Sequence, residues 1–174
     1  IVEQLSVEQK VAQMIQGEIR GVTADDVKKY GLGSVLNGGG GFPGGDKYAS
    51  PQDWVDLADA YYGASIDASE GSAGIPIVWG TDAVHGHNNV MGATLFPHNI
   101  GLGATRDPEL VARIIGATAR EVKATGIDWI FAPTVAVAKD GRWGRTYESF
   151  SSDPSIAASL VAPIVEAMQD EGVA

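Results

Sequence analysis

Ile75-Pro76-Ile77-Val78-Trp79, followed by Gly80-Thr81-Asp82-Ala83-Val84-His85-Gly86-His87-Asn88-Asn89-Val90-Met91-Gly92-Ala93-Thr94-Leu95-Phe96-Pro97-His98-Asn99, is the stretch that decides the architecture. A short apolar run bounded by turn residues reads as a parallel strand buried on both faces. The segment after it is punctuated by glycine and holds one carboxylate, three asparagines and all three histidines of the chain, His85, His87 and His98. Polar groups crowded at the C-terminal end of such a strand mark the place where α/β sheets gather ligand-binding side chains.

Upstream, Ser6 followed by Gln9 is a capping-box pattern. Val7, Val11, Met14 and Ile15 recur at helical spacing, so a first helix is expected to run to about Gly17 or Arg20. Gly33-Ser34-Val35-Leu36-Asn37 reads as a strand, and Gly38 to Gly45 as a flexible pocket rim that only glycine-rich backbone allows. Ser50-Pro51 with Asp53 opens a helix whose buried stripe is expected to be Trp54, Leu57, Ala58, Tyr61 and Tyr62. Downstream, a long loop is expected to last until Asp107-Pro108 starts a helix with Leu110, Val111, Ile114, Ala117 and Val122 on one face, ended by Gly126. Ile127 to Ala132 reads as a third strand, 133–152 as a loop, and Asp153-Pro154 as the start of a helix carrying Ile156, Leu160, Ile164 and Met168. Pro163 should kink or split that last helix, because proline removes a backbone donor and crowds the preceding turn.

The order is therefore a helix and then strand-loop-helix three times, with every long polar loop following a strand. That one-sidedness points to α/β architecture, either a (β/α)8 barrel or an open doubly wound sheet. A closed barrel takes about 250 residues, so 174 residues with three clear strands predict a partial (β/α)8 TIM barrel, about half a barrel with three or four β/α units.

Composition narrows the function classes. A chain of 174 residues with 44% hydrophobic and 20% charged residues is ordinary for one globular domain, here residues 1–174. The formal net charge is −10 and no basic run stands out, which argues against nucleic-acid or anionic-membrane partners and favours a neutral ligand. With no cysteine there is no disulfide framework, thiolate metal site or thiol nucleophile. No apolar stretch of about 18 residues and no signal-like N-terminus is present, so the chain is expected to be soluble as given, any export signal having been removed or never present.

Two clusters carry chemistry. Asp82, just past the strand end, is either a turn-capping aspartate or an ionised carboxylate that accepts hydrogen bonds from adjacent sugar hydroxyls. Asp82, His85 and His87 could also hold a divalent ion, although the helical His-x-x-x-His spacing is missing. The second cluster, Lys139-Asp140-Gly141-Arg142-Trp143-Gly144-Arg145-Thr146-Tyr147-Glu148-Ser149, mixes three cations, two anions and two aromatics in eleven residues. Aromatic faces stack on sugar C–H faces while Arg and carboxylates bind hydroxyls, the mixture a carbohydrate subsite needs. Arg142 is expected only to brace the loop. Glu148 with Asp82 or Asp140 could alternatively form a self-contained carboxylate pair. The glycine strip 38–45 lacks the features of a phosphate-binding loop.

At these residues the chain strongly resembles the N-terminal barrel domain of family 3 glycoside hydrolases, in the β-glucosidase and exo-β-glucanase branch. The matching segments are Leu5 to Met14, Gly33 to Leu36, Gly80-Thr81-Asp82-Ala83-Val84-His85-Gly86, Phe96 to Pro108, and Arg142-Trp143-Gly144-Arg145 with Tyr147-Glu148-Ser149. They span nearly the whole chain in the family's order and spacing, and Asp82-Ala83-Val84-His85 differs from the family's N-acetylglucosaminidase branch. Where the family often has cysteines, this chain has Thr134, Ala138 and Thr146.

The resemblance implies retaining hydrolysis of terminal β-D-glucosyl residues by two carboxylates, a nucleophile and an acid/base. It implies that Asp82 and Arg145 bind glucose hydroxyls in subsite −1, with His85 and Glu148 as further substrate-binding candidates. In the family the nucleophilic Asp and a Lys-His segment lie on later strands, and the acid/base Glu lies in a second α/β domain. By that resemblance no catalytic residue falls within 1–174, the chain alone is expected to be inactive, and no metal or other cofactor is used. The implied partners are a β-glucoside or β-glucan oligosaccharide and either the remaining part of the enzyme or a second half-barrel chain. A different class also fits: a non-catalytic sugar-binding or engineered half-barrel module that dimerises. The resemblance is compatible with a periplasmic or secreted protein.

Overall fold

Capping chemistry fixes where the helices begin. The computed structural model describes residues 1–174. In it Ser6 Oγ accepts the Gln9 N–H at 3.2 Å while Gln9 Oε1 accepts the Ser6 N–H at 3.0 Å, opening α1 (Val7–Gln13). The same reciprocal box joins Thr23 to Asp26 ahead of α2 (Ala24–Tyr30), and Ser50 to Asp53 ahead of α3 (Pro51–Ile66). Each box satisfies two backbone donors that a helix start would otherwise leave open.

The strands are β1 (Gln16–Glu18), β2 (Ser34–Asn37), β3 (Val78–Thr81) and β4 (Trp129–Ile130), in the sheet order β1-β2-β3-β4. β1 to β2 and β2 to β3 are parallel, with Glu18 opposite Leu36 and Leu36 opposite Gly80. Helices α4 (Asn99–Thr105), α5 (Pro108–Lys123) and α6 (Pro154–Asp170) complete the chain. After α1 this gives four β/α units, half the complement of a (β/α)8 barrel. No helix is long and apolar enough to cross a membrane.

Several local expectations are corrected. The first helix stops at Gln13 rather than Gly17 or Arg20, and the Ala12 carbonyl, which a continuing helix would offer to residue 16, accepts the Gly33 N–H at 3.1 Å instead. Residues 16–18 then take sheet hydrogen bonds, which outweigh the local helical periodicity. The stripe Val7, Val11, Met14 and Ile15 is exposed. α2 escapes hydrophobic periodicity because only Val27 of its seven residues is buried. β3 begins after Pro76, which has no N–H to give to a ladder. Helix α4 lies where a continuous loop is expected, and α6 runs through Pro163 without splitting. Gly38 to Gly45 forms a turn closed by Gly41 N–H to Gly38 O at 3.0 Å and then a 3-10 turn.

By its contacts the chain divides into two units. The first holds residues 1–81, 89–91 and 124–129. Its core centres on Trp79, whose ring meets Trp54 at 5.9 Å and Tyr61 edge-on at 5.6 Å, and whose Nε1 donates to Asn37 Oδ1 at 2.8 Å. The buried stripe of α3 is thus Trp54, Tyr61 and Ser65, with Leu57 and Ala58 half-buried and Tyr62 exposed. The second holds residues 82–88, 92–123 and 130–174, built on α5 packed against α6. Val111 and Val122, expected on the inner face of α5, are buried there together with Ile115 and Ala119, whereas Leu110, Ile114 and Ala117 are only half-buried. Ala157, Leu160, Ile164 and Met168 are buried on α6.

Candidate functional site

Every proposed sugar-contacting residue falls in the second unit. Asp82 is the first residue after β3; it is exposed, and its charge acts on the Arg145 guanidinium. The loop that follows doubles back on itself. Phe96 N–H donates to His85 O at 2.8 Å, Gly86 bridges Leu95, and Gly86 has φ of 113° with no room for a Cβ, which would lie 2.1 Å from Thr94 O. His85 Nδ1 lies 2.9 Å from the Phe96 carbonyl. A carbonyl only accepts, so Nδ1 carries the proton. Glu121 of α5 anchors the returning segment of the loop by accepting from Thr94 N and Thr94 Oγ1 at 2.9 and 2.8 Å.

The second cluster is held from α4. Asn99, 1% exposed, donates from Nδ2 to Glu148 O at 2.8 Å. Ser149 Oγ donates towards Ala136 O at 2.6 Å and accepts from Ala138 N at 3.1 Å, tying both ends of the loop together. On this base Glu148 grips Arg145 with both oxygens, Nε to Oε1 at 2.8 Å and Nη2 to Oε2 at 2.5 Å. The Arg145 side chain is 67% exposed and that of Glu148 is 14% exposed, so the pair fixes the guanidinium while leaving much of it open to solvent. Trp143 and Tyr147, in the same loop, are also exposed.

The three histidines do different things. His98 Nδ1 accepts the Asn99 N–H at 3.0 Å as the N-cap of α4, and its ring lies 4.4 Å from that of His85 and 4.6 Å from that of Tyr147, the latter edge-on. His87 is buried at 1% exposure, and burial pushes its pKa from 6.5 down to about 4, against a weaker upward pull from Glu121. Asp82, His85 and His87 are not brought together as a metal-ligand group.

The structure thus joins Arg145 to Glu148, and His85 to the same turn through His98 and Tyr147; Asp82 acts at longer range. Arg142 pairs with Asp140 through Nε and Nη2, as expected of a loop brace. Glu148 is pulled below the ordinary carboxylate range chiefly by Arg145, and Asp140 by Arg142. A general acid needs the opposite shift, which counts against either carboxyl as the acid of a self-contained pair. Sequence reasoning gave no role to Asn99 and His98; the signal was Phe96-Pro97-His98-Asn99, a cap-plus-helix start hidden by an apolar-poor helix of seven residues.

His87 leads to a pH prediction. Its native pKa lies below the unfolded value, so its contribution to stability is complete above pH 6.5 and is lost as pH falls towards 4. The loss is about 3 kcal/mol for such a shift. Denaturant unfolding from pH 7 to pH 4 is expected to show it, and His87→Gln is expected to flatten that part of the curve. An unchanged slope in the variant would show that another group is responsible.

The sequence pattern described as "Glycosyl hydrolase family 3 N terminal domain" matches residues 6–174. "Lysosomal beta glucosidase" of Dictyostelium discoideum is 33% identical over 183 residues, covering 97% of this chain and 22% of the relative. "Beta-glucosidase" of Rhizobium radiobacter is 34% identical over 103 residues, 58% of this chain and 13% of the relative. Among solved structures, an exo-1,3/1,4-beta-glucanase from a Pseudoalteromonas species superposes with a TM-score of 0.93 at 55% identity, covering 97% of this chain and 21% of that one. A beta-N-acetylglucosaminidase from a Paenibacillus species, at 24% identity and a TM-score of 0.81, covering 98% of this chain and 32% of that one, shares the fold. The chain therefore spans about a fifth of the length of the beta-glucosidase and exo-glucanase it matches over 97% of its own residues.

Proposed function

The chain belongs to glycoside hydrolase family 3, and from that premise we propose that it is the part of a retaining β-glucosidase or exo-β-glucanase that holds the terminal glucose. Asp82 and Arg145 bind sugar hydroxyls of subsite −1. Glu148 orients Arg145, and His85 lines the same surface. The nucleophile and the acid/base come from polypeptide outside residues 1–174. The substrate is a β-glucoside or β-glucan oligosaccharide.

The observation that supports this reading most is the exposed Arg145 guanidinium, clamped by Glu148 on one edge while the exposed Asp82 carboxylate acts on it. A planar fork fixed on one side presents its remaining donors in one direction, and a nearby acceptor carboxylate complements them for vicinal hydroxyls. Charge-assisted bonds of this kind position a sugar without breaking its glycosidic bond.

The test compares the 174-residue chain of verified mass with the full-length polypeptide that contains it. The chain alone is expected to release no nitrophenol from an aryl β-glucoside above background, and the full-length protein is expected to turn the substrate over. Repurified chain that hydrolyses the glucoside, with activity lost in Glu148→Gln, would overturn the assignment of the catalytic carboxylates.

A further inference from the structure

We propose that His98 is a positioning residue for the Arg145–Glu148 pair: as a neutral imidazole it caps α4 and is wedged between the rings of His85 and Tyr147, and protonation frees the turn that carries Arg145. The inference rests on the reading of Arg145 as a sugar contact.

The geometry links His98 to that turn by two routes. One runs through the ring, since Tyr147, edge-on to His98 at 4.6 Å, sits between Arg145 and Glu148 in the 3-10 turn Thr146–Glu148. The other runs through α4: His98 caps its first turn, and the next residue, Asn99, holds the Glu148 carbonyl at 2.8 Å. A disturbance of the cap therefore reaches the carbonyl of the residue whose side chain clamps Arg145.

Only the neutral ring can do this. Nδ1 accepts the Asn99 N–H, so the lone pair must be there and the ring proton must sit on Nε2. Protonation turns the acceptor into a donor facing a donor, and the cap bond is lost. It also sets a cation against the His85 ring at 4.4 Å. The Glu148 carboxylate, which favours the cation, is already gripped by Arg145. A charged His98 would compete with Arg145 for Glu148 and loosen the clamp. His85 and Glu148 are the titratable groups acting on His98, with the Tyr147 backbone beside them; α6, which packs on α4, adds none. Burial and His85 hold His98 on the neutral side, outweighing Glu148.

The experiment uses the full-length protein and glucose as the probe, measured as a competitive inhibitor of aryl β-glucoside hydrolysis at pH 7 and pH 5. For the unsubstituted protein, acidification is expected to weaken glucose inhibition severalfold, because the binding-competent fraction falls as His98 takes up a proton. His98→Asn keeps a cap acceptor but cannot titrate in this range. It is expected to fold, as checked by circular dichroism, and to show nearly the same inhibition constant at both pH values. His98→Phe keeps a ring but no acceptor and is expected to weaken glucose binding at both. If His98→Asn retains the full pH effect, or His98→Phe binds glucose normally at pH 7, the positioning role is wrong. Arg145→Ala separates this from the reading beneath it: if that variant binds glucose normally at pH 7, the sugar contact itself fails, whatever His98 does.

Discussion

Asp82→Ala in the full-length protein is expected to lower kcat/KM for an aryl β-glucoside by about 30- to 1000-fold, the loss typical of a charged group whose bonds to substrate hydroxyls tighten in the transition state. The fold is expected to survive, because Asp82 is exposed at the end of β3 and no helix cap or ion pair in the structure depends on it. Arg145→Ala is expected to be comparably harmful, with an additional effect: it strips Glu148 of the partner that holds it ionised. Two controls bracket these losses. Arg142→Ala removes an exposed bridge to Asp140, the kind of pair that contributes little, and should leave the rate within a few-fold. His87→Ala removes a buried side chain and should lower stability more than turnover. Chelator is expected to leave the rate unaltered. Near-normal kcat/KM in Asp82→Ala together with abolished activity in His87→Ala would overturn the sugar-subsite assignment.

Much of this arrangement was legible in the sequence because it rests on local chemistry. Ser6, Ser50, Asp107 and Asp153 announce helix starts that depend on residues two or three positions away. The polar run after β3 and the Arg-Trp-Gly-Arg loop stand out through residue types that a bland surface rarely combines. What escaped depends on contacts distant in sequence. β1 exists because residues 16–18 find β2, a partner that periodicity within the segment cannot reveal. Short α2 and α4 bury so little apolar surface that no stripe marks them. The separate fates of three histidines within fourteen residues follow from burial for His87, a backbone carbonyl for His85 and a helix cap for His98, none of which is written in their spacing.

Gly103→Ala is expected to destabilise the second unit by about 3 kcal/mol or more, at or beyond the upper end for overpacking a core, and to impair the sugar site with it. Gly103 lies in α4 facing Phe150, and a Cβ there would sit 1.9 Å from the Phe150 carbonyl oxygen and 2.6 Å from its carbon. Both sides of that contact are backbone, so no rotamer change relieves it; helix and loop must separate. The loop in question follows Glu148 by two residues, and Asn99, one helical turn before Gly103, holds the Glu148 carbonyl. Separation at Gly103 therefore pulls on the hydrogen bond that sets the Arg145 clamp. The same substitution at Gly63 in α3, where nothing lies within 4 Å of the added carbon, should instead stabilise by about 0.5–1 kcal/mol, the usual helix preference for alanine over glycine. Denaturant unfolding of both variants, with kcat/KM of the full-length protein alongside, reads the contrast. A Gly103→Ala protein as stable and active as the unsubstituted one would mean that α4 does not approach the loop so closely, and the route from α4 to Arg145 would lose its basis.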